Sequence, residues 1–313
     1  MSEEDQPTIR TRVPLAVEAE VETLRGAMKG LGTDEADIIK TLTSCSCNQR
    51  QVIAREYAET HDRDLIKDLT KELSGHFEDV VVALMTRSSD FLARELKHAI
   101  DEKDGEAIVQ ILFACEPPEL NSIKASYEQH NDDTLEEDLE DETKGVFEDV
   151  VVGAVTGNRE EGVCELTSVN VARAIFNDDN GVNKEEVVKA FSSLSYKQLE
   201  GVLQVYYKIA GRTLGEAFDL EFKGKENANM QALFKCLQHR HVFLAAALHK
   251  AMAGPGTRDR DLIRLVVSRA EVDLQNIKDE YLKMYDTTLE AAIKGDTSGD
   301  YKKVLLALLH PNY

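Results

Sequence analysis

The chain repeats itself, and that repetition constrains its fold more than any local signal. Gly75-His-Phe-Glu-Asp-Val-Val-Val82 returns as Gly145-Val-Phe-Glu-Asp-Val-Val-Val152, a shift of 70 residues. Lys71-Glu-Leu-Ser-Gly75 has counterparts in Asp141-Glu-Thr-Lys-Gly145, Leu220-Glu-Phe-Lys-Gly224 and Gly295-Asp-Thr-Ser-Gly299, whose glycines step by 70, 79 and 75 residues. Four units of about 70–80 residues therefore fill the chain from about Glu18 to Tyr313. Within a unit the apolar spacing is helical: Phe77, Val80, Val81 and Leu84 follow i, i+3, i+4, i+7, and Ile38, Ile39 and Leu42 do so more briefly. Pro117 and Pro118 stand where a helix can begin. Ser46-x-x-Gln49, Ser195-x-x-Gln198 and Ser268-x-x-Glu271 read as capping boxes in phase with the repeat. The expectation is an all-α chain of four repeats with about five short helices each and little or no strand. It divides into a short, polar, mobile arm (1–17), repeats at 18–87 and 88–157, a linker at 158–168 splitting the chain into halves, and repeats at 169–238 and 239–313.

Charge narrows the function. Thirty-seven basic against 58 acidic residues give a net charge of −21, which disfavours nucleic acid, whose binding runs on Lys and Arg neutralising phosphates. It equally disfavours direct adhesion to anionic lipid unless a positive group intervenes. No apolar run approaches the roughly 20 residues of a membrane-spanning helix, and the N-terminus MSEEDQPTIR lacks the features of a secretory signal. Five cysteines without CxxC spacing (Cys45, Cys47, Cys115, Cys164, Cys236) read as reduced thiols of a cytoplasmic protein.

The chemistry lies in a loop that occurs twice. Met28-Lys-Gly30-Leu-Gly32-Thr33 precedes a helix opened by Asp34 and Glu35, and the last repeat carries Met252-Ala-Gly254-Pro-Gly256-Thr257. Two glycines two apart let the backbone turn with positive φ and aim successive carbonyls at one point. A hard cation such as Ca²⁺ takes about six to eight oxygens and normally needs a carboxylate among them. An acid stands at a fixed distance from each loop: Thr33 to Glu72 is 39 positions, and Thr257 to Asp296 is also 39.

This pattern resembles the annexin family, whose repeat carries a G-x-G-T loop followed by an acidic residue at a fixed distance, and the resemblance covers nearly the whole chain. It implies four five-helix modules in a slightly curved disc, with modules one and four side by side and calcium loops on the convex face. It also implies a ligand set: the carbonyls of Met28, Gly30 and Gly32 with the carboxylate of Glu72, and those of Met252, Gly254 and Gly256 with Asp296. A weaker neighbouring site of the family corresponds to Thr33 with Glu35, and to Thr257 with Asp259. At the loop tips Lys29 and Leu31, replaced by Ala253 and Pro255 in the other copy, are the expected headgroup contacts. The middle repeats depart from the pattern. Counting back 39 from Glu142 lands on Lys103, so repeat two offers Ile100-Asp-Glu102-Lys103 and no ordinary site. Counting back from Glu221 gives Val182 within Asp179-Asn180-Gly181-Val182, a degraded site built on Gly181 and Glu221. The family's Arg in the segment of Cys45 survives only as Arg269, and Glu95 is retained, so the charged central passage of the family is incomplete here.

Other readings are weaker. Asp178-Asp-Asn180-Gly181 resembles an EF-hand opening, but positions one and twelve would be Phe176 and Val187, neither acidic. His239-Arg-His241 lacks the partners of a zinc site, and Glu136–Glu142 reads as a solvated helix face apart from Glu142. No nucleophile–base set or phosphate loop points to an enzyme. The expected function is calcium-dependent, reversible, peripheral binding to acidic phospholipid membranes through repeats one and four, with Ca²⁺ as the bridging ion. The alternatives are a helical-repeat scaffold for proteins and a calcium buffer that never meets a membrane.

Overall fold

The computed structural model describes residues 4–30, 32–177 and 181–310. Among them are twenty α-helices, five to each repeat, and a single isolated β-bridge between Phe176 and Val182. The apolar spacing read from the sequence is the buried face: Phe77, Val80, Val81 and Leu84 of the helix Gly75–Met85 are at most 7 % exposed. Each such side chain contributes about 1.5–3 kcal/mol when removed from water.

The fourth helix of every repeat carries the acid singled out in the sequence. These helices, Leu65–Glu72, Leu135–Glu142, Leu214–Glu221 and Leu289–Asp296, are each eight residues long and each ends on the acid picked out by the repeat. Their starts are set by side-chain caps at Asp64, Thr134, Thr213 and Thr288, which accept from the backbone N–H three residues on. Two buried side chains one turn apart then pin each helix, for example Leu65 and Leu69, or Leu289 and Ile293. In the first two repeats a buried tyrosine adds a polar tie: Tyr57 donates to Asp68 at 2.9 Å, and Tyr127 donates to Asp138. Two residues after the acid lead to Gly75, Gly145, Gly224 or Gly299, all with φ between 57° and 72°.

Two compact units emerge. One joins residues up to Phe91 with those from Leu244 onward, that is repeats one and four; the other runs from Leu92 to Phe243 and holds repeats two and three. The division does not fall at the expected linker, which lies inside the second unit. That linker is also shorter than expected, since the helix Glu165–Ile175 takes its last four residues.

The N-terminal arm is not the mobile tail its polarity implied. The N–H groups of Thr8 and Ile9 both donate to the Ala270 carbonyl at 2.9 Å, Gln6 exchanges bonds with Asn276 and Gln275, and Ile9 is 1 % exposed. Arg12 continues the attachment by donating to Ser44 and pairing with Glu20. A single buried isoleucine and a few backbone bonds suffice, and composition over 17 residues does not register them.

Of the three expected capping boxes, Ser46–Gln49 is complete. At Ser195 the hydroxyl caps Gln198 N–H, but the Gln198 side chain turns away to accept from Cys164 N–H at 2.6 Å. Ser268 caps nothing of the kind, because the helix Asp259–Arg269 runs through it. Glu271 instead accepts from Cys47 N–H at 2.7 Å and pairs with Arg50 at 2.9 Å. Complete boxes occur at Thr134–Glu137 and Thr213–Glu216, starting the acid-bearing helices.

Candidate metal centres

In repeat one the helix Val17–Ala27 ends at Met28, and the chain turns through Gly30 at φ 115° and Gly32 at φ 93°. In repeat four, after the helix Arg240–Met252, Gly254 and Gly256 take 108° and 85°. A Cβ at any of these four glycines would meet nothing within 4 Å. Glycine is required by the dihedral alone, which costs an ordinary residue on the order of 1–3 kcal/mol. Both loops close alike: Asp34 N–H donates to the Ala27 carbonyl at 2.9 Å, and Arg258 N–H donates to the Ala251 carbonyl at 2.8 Å. Asp34 then caps the helix Glu35–Thr43 by accepting from Asp37 N–H.

The distant acid meets its loop in both repeats. Thr33 Oγ1 donates to Glu72 Oε2 at 3.3 Å, and Thr257 Oγ1 donates to Asp296 Oδ2 at 2.6 Å. Neither carboxylate has a basic partner among the described residues. Each sits at the C-terminus of its short helix, where unpaired carbonyls add partial negative charge. A carboxylate and a hydroxyl meet at each loop, and with backbone carbonyls of the loop they would offer an all-oxygen donor set with one formal charge, the chemistry that suits a hard divalent cation.

The middle repeats use the same register differently. Lys103 Nζ lies 2.7 Å from Glu142 Oε2, and Lys184 Nζ lies 2.9 Å from Glu221 Oε1. In repeat two the closing bond runs from Asp104 N–H to the Ala99 carbonyl at 2.8 Å, so the loop is two residues shorter than in repeats one and four. The turn is made by Lys103 itself at φ 57°. In repeat three Asn183 N–H reaches the Ile175 carbonyl at 2.9 Å, giving a loop one residue longer. Gly181 packs against the acid, since a Cβ there would fall 2.3 Å from Glu221 Oε2. Asp178, Asp179 and Asn180, with the EF-hand-like run they begin, lie outside the described residues, as does Leu31 of the first loop.

The neighbouring pair of acids divides. Glu35 is half-buried and has no ion pair among the described residues. Asp259 is engaged by His76, whose Nε2 stands 3.1 Å away while Nδ1 stands 3.0 Å from Asp79. Sequence reasoning missed His76 and Lys184. Lys184 was within reach of it: stepping by the repeat, it occupies the register of Glu35, Gly105 and Asp259.

A sequence model of the annexin family matches residues 19–84, 91–154 and 243–308. The chain belongs to the annexin family. It is 40 % identical over 297 residues to annexin A5 of Macaca fascicularis, covering 93 % of each chain. To annexin B10 of Drosophila melanogaster it is 36 % identical over 318 residues, covering 97 % of each. Among solved structures, annexin III superposes with a TM-score of 0.92 at 31 % identity and 98 % coverage of both chains. Calcium-bound annexin (Sm)1 superposes with a TM-score of 0.89 at 27 % identity, covering 99 % of this annexin and 94 % of that chain. No helix among the described residues of this annexin is long and apolar enough to cross a membrane.

Proposed function

We propose that this annexin binds acidic phospholipid surfaces reversibly and in a calcium-dependent way, through the loops of repeats one and four. One observation carries the reading: Glu72 and Asp296 each rest on a neutral threonine hydroxyl of a G-x-G-T loop, whereas Glu142 and Glu221 are each neutralised by a lysine. Met28, Gly30 and Gly32 would supply carbonyls beside Glu72, and Met252, Gly254 and Gly256 would do so beside Asp296. Glu35 with Thr33 forms the better candidate for a second ion, because Asp259 is already engaged by His76.

The charge of the chain makes the dependence on calcium physical. At −21 it repels an anionic surface. A divalent ion held by one carboxylate leaves a local charge of about +1 and open positions for a lipid oxygen. One carboxylate per loop implies weak binding without lipid, on the order of 10⁻⁴–10⁻³ M. Lipid oxygens complete the shell, so calcium and membrane each tighten the other by the same factor. Lys29, exposed beside Gly30, adds a cation at the first loop, while Ala253 and Pro255 make the second tip apolar. The expected residence is the cytoplasm, with peripheral attachment to membranes at raised calcium.

Co-sedimentation with phosphatidylserine vesicles tests this. Pelleting with calcium and release by chelator is the expected result. Calcium binding without pelleting would instead mark a buffer, and neither would mark a protein-binding scaffold.

A further inference from the structure

Each compact unit holds an open cleft at the acid end of one of these helices, and the two clefts differ in charge. In the unit of repeats one and four a cleft of about 320 Å³ is lined by Glu35, Glu72, Ser74, His76, Asp300 and Tyr301. In the other unit a cleft of about 320 Å³ is lined by Lys103, Glu142, Lys144, Lys225, Glu226 and Asn229. The repeat register converts one into the other. Gly105 stands for Glu35, Lys144 for Ser74, Val146 for His76, and Lys225 for Asp300.

Of the two acids in the second cleft, Glu142 has a cation partner and Glu226 has a backbone N–H that leaves its charge in place. Glu142 pairs with Lys103 at 2.7 Å, and Glu226 Oε1 accepts from Val146 N–H at 3.0 Å at the start of the helix Val146–Thr156. Lys144 and Lys225 are exposed and have no carboxylate partner among the described residues. Asn229 lies hard against Gly105, where a Cβ would fall 2.2 Å from its Oδ1, so the glycine opens the space the carboxamide occupies.

We propose that this cleft binds a phosphate group directly, without calcium, through Lys144 and Lys225 assisted by the Asn229 amide. Two ammonium groups on one oxyanion form charge-assisted hydrogen bonds, the strong class. Glu142 and Glu226 share the cleft with the lysines, and only charge farther off than a Debye length of about 8 Å is screened at physiological salt. The phosphate is either that of a lipid headgroup or a free one. The inference goes beyond the calcium loops and does not need them.

The test uses the full chain in chelator, titrated with inorganic phosphate and followed by amide NMR shifts, alongside vesicle binding at half-saturating calcium. Wild type is expected to bind phosphate. The double variant Lys144→Gln/Lys225→Gln is expected to weaken it at least about fivefold, and Lys144→Arg/Lys225→Arg to keep it within about twofold. If the source is a headgroup, the Gln pair also weakens binding to phosphatidic-acid vesicles at least about threefold; if it is a free phosphate, vesicle binding is unchanged. Absence of phosphate binding by wild type, or binding that survives the Gln pair, would overturn the proposal. Because the phosphate arm is free of calcium, its failure leaves the calcium loops untouched, and failure of those loops leaves it readable.

Discussion

The two compact units carry the same five-helix repeats and place an acid at the end of the same eight-residue helix, yet the acids face different partners. In the unit of repeats one and four, Glu72 and Asp296 meet threonine hydroxyls. In the unit of repeats two and three, Glu142 and Glu221 meet lysine ammonium groups. In repeats two and three a tethered cation meets the carboxylate, and the pair of glycines two apart is missing from both loops. The two lysines arrive from different registers, Lys103 from the threonine position and Lys184 from the position of Glu35. The same ion pair is thus reached by two separate routes, while Glu72 and Asp296 keep their places in the fold with only a hydroxyl beside them.

The largest expected effect comes from removing both unpaired acids. Glu72→Gln with Asp296→Asn should raise the calcium needed for half-maximal vesicle binding by more than tenfold, each single variant by less, because each loop loses its only charged ligand. Unchanged melting temperatures would separate this from misfolding. Next come the glycines. Gly30→Ala and Gly256→Ala should each raise the calcium requirement several-fold, since their φ values of 115° and 85° strain any L residue by about 1–3 kcal/mol. Gly26→Ala, with ordinary φ inside a helix and nothing within 4 Å of the added Cβ, is the matched control and should change nothing.

Glu142→Gln and Glu221→Gln should shift the calcium requirement by less than about twofold. A larger shift from Glu221 would mean that calcium displaces Lys184, and the contrast between the units would fail at repeat three. A smaller effect concerns acid stability. Arg63 grips Asp68 through two bonds of 2.5 Å, and these, with Tyr57, hold the Asp68 carboxyl down at about 2. Its unfolded value is about 3.9. The folded value is the lower, so this stabilisation is complete above about pH 4 and is lost as pH falls towards 2. Asp68→Asn should flatten that part of the pH–melting curve. Last, Cys164 is exposed and its thiol pKa is lowered by the N–H groups of the helix it precedes, while Cys45, Cys115 and Cys236 are buried. A limiting alkylating reagent should label Cys164 first, by mass spectrometry, and leave vesicle binding unchanged.

What the sequence reveals of this molecule follows from what repeats. The helices, the acid at each fourth-helix end and the two glycine loops recur at fixed steps, so each copy vouches for the others. The N-terminal arm occurs once and is held by Ala270 and Asn276, far along the chain, so no local pattern announces its docking. Ser268-x-x-Glu271 has the letters of a capping box, but Glu271 is claimed by Cys47 and Arg50. The pairing of Lys184 with Glu221 was legible in register, yet the glycine and the acid drew attention from the lysine between them. His76 escaped because its partner Asp259 belongs to another repeat.

The direct test of the contrast between the two units is a crystal grown or soaked in millimolar calcium and examined by anomalous diffraction. Ion density is expected at the loops of Glu72 and Asp296, with Lys103 and Lys184 still seated on Glu142 and Glu221. Density at Glu142 or Glu221, with the loops of Glu72 and Asp296 empty, would contradict it.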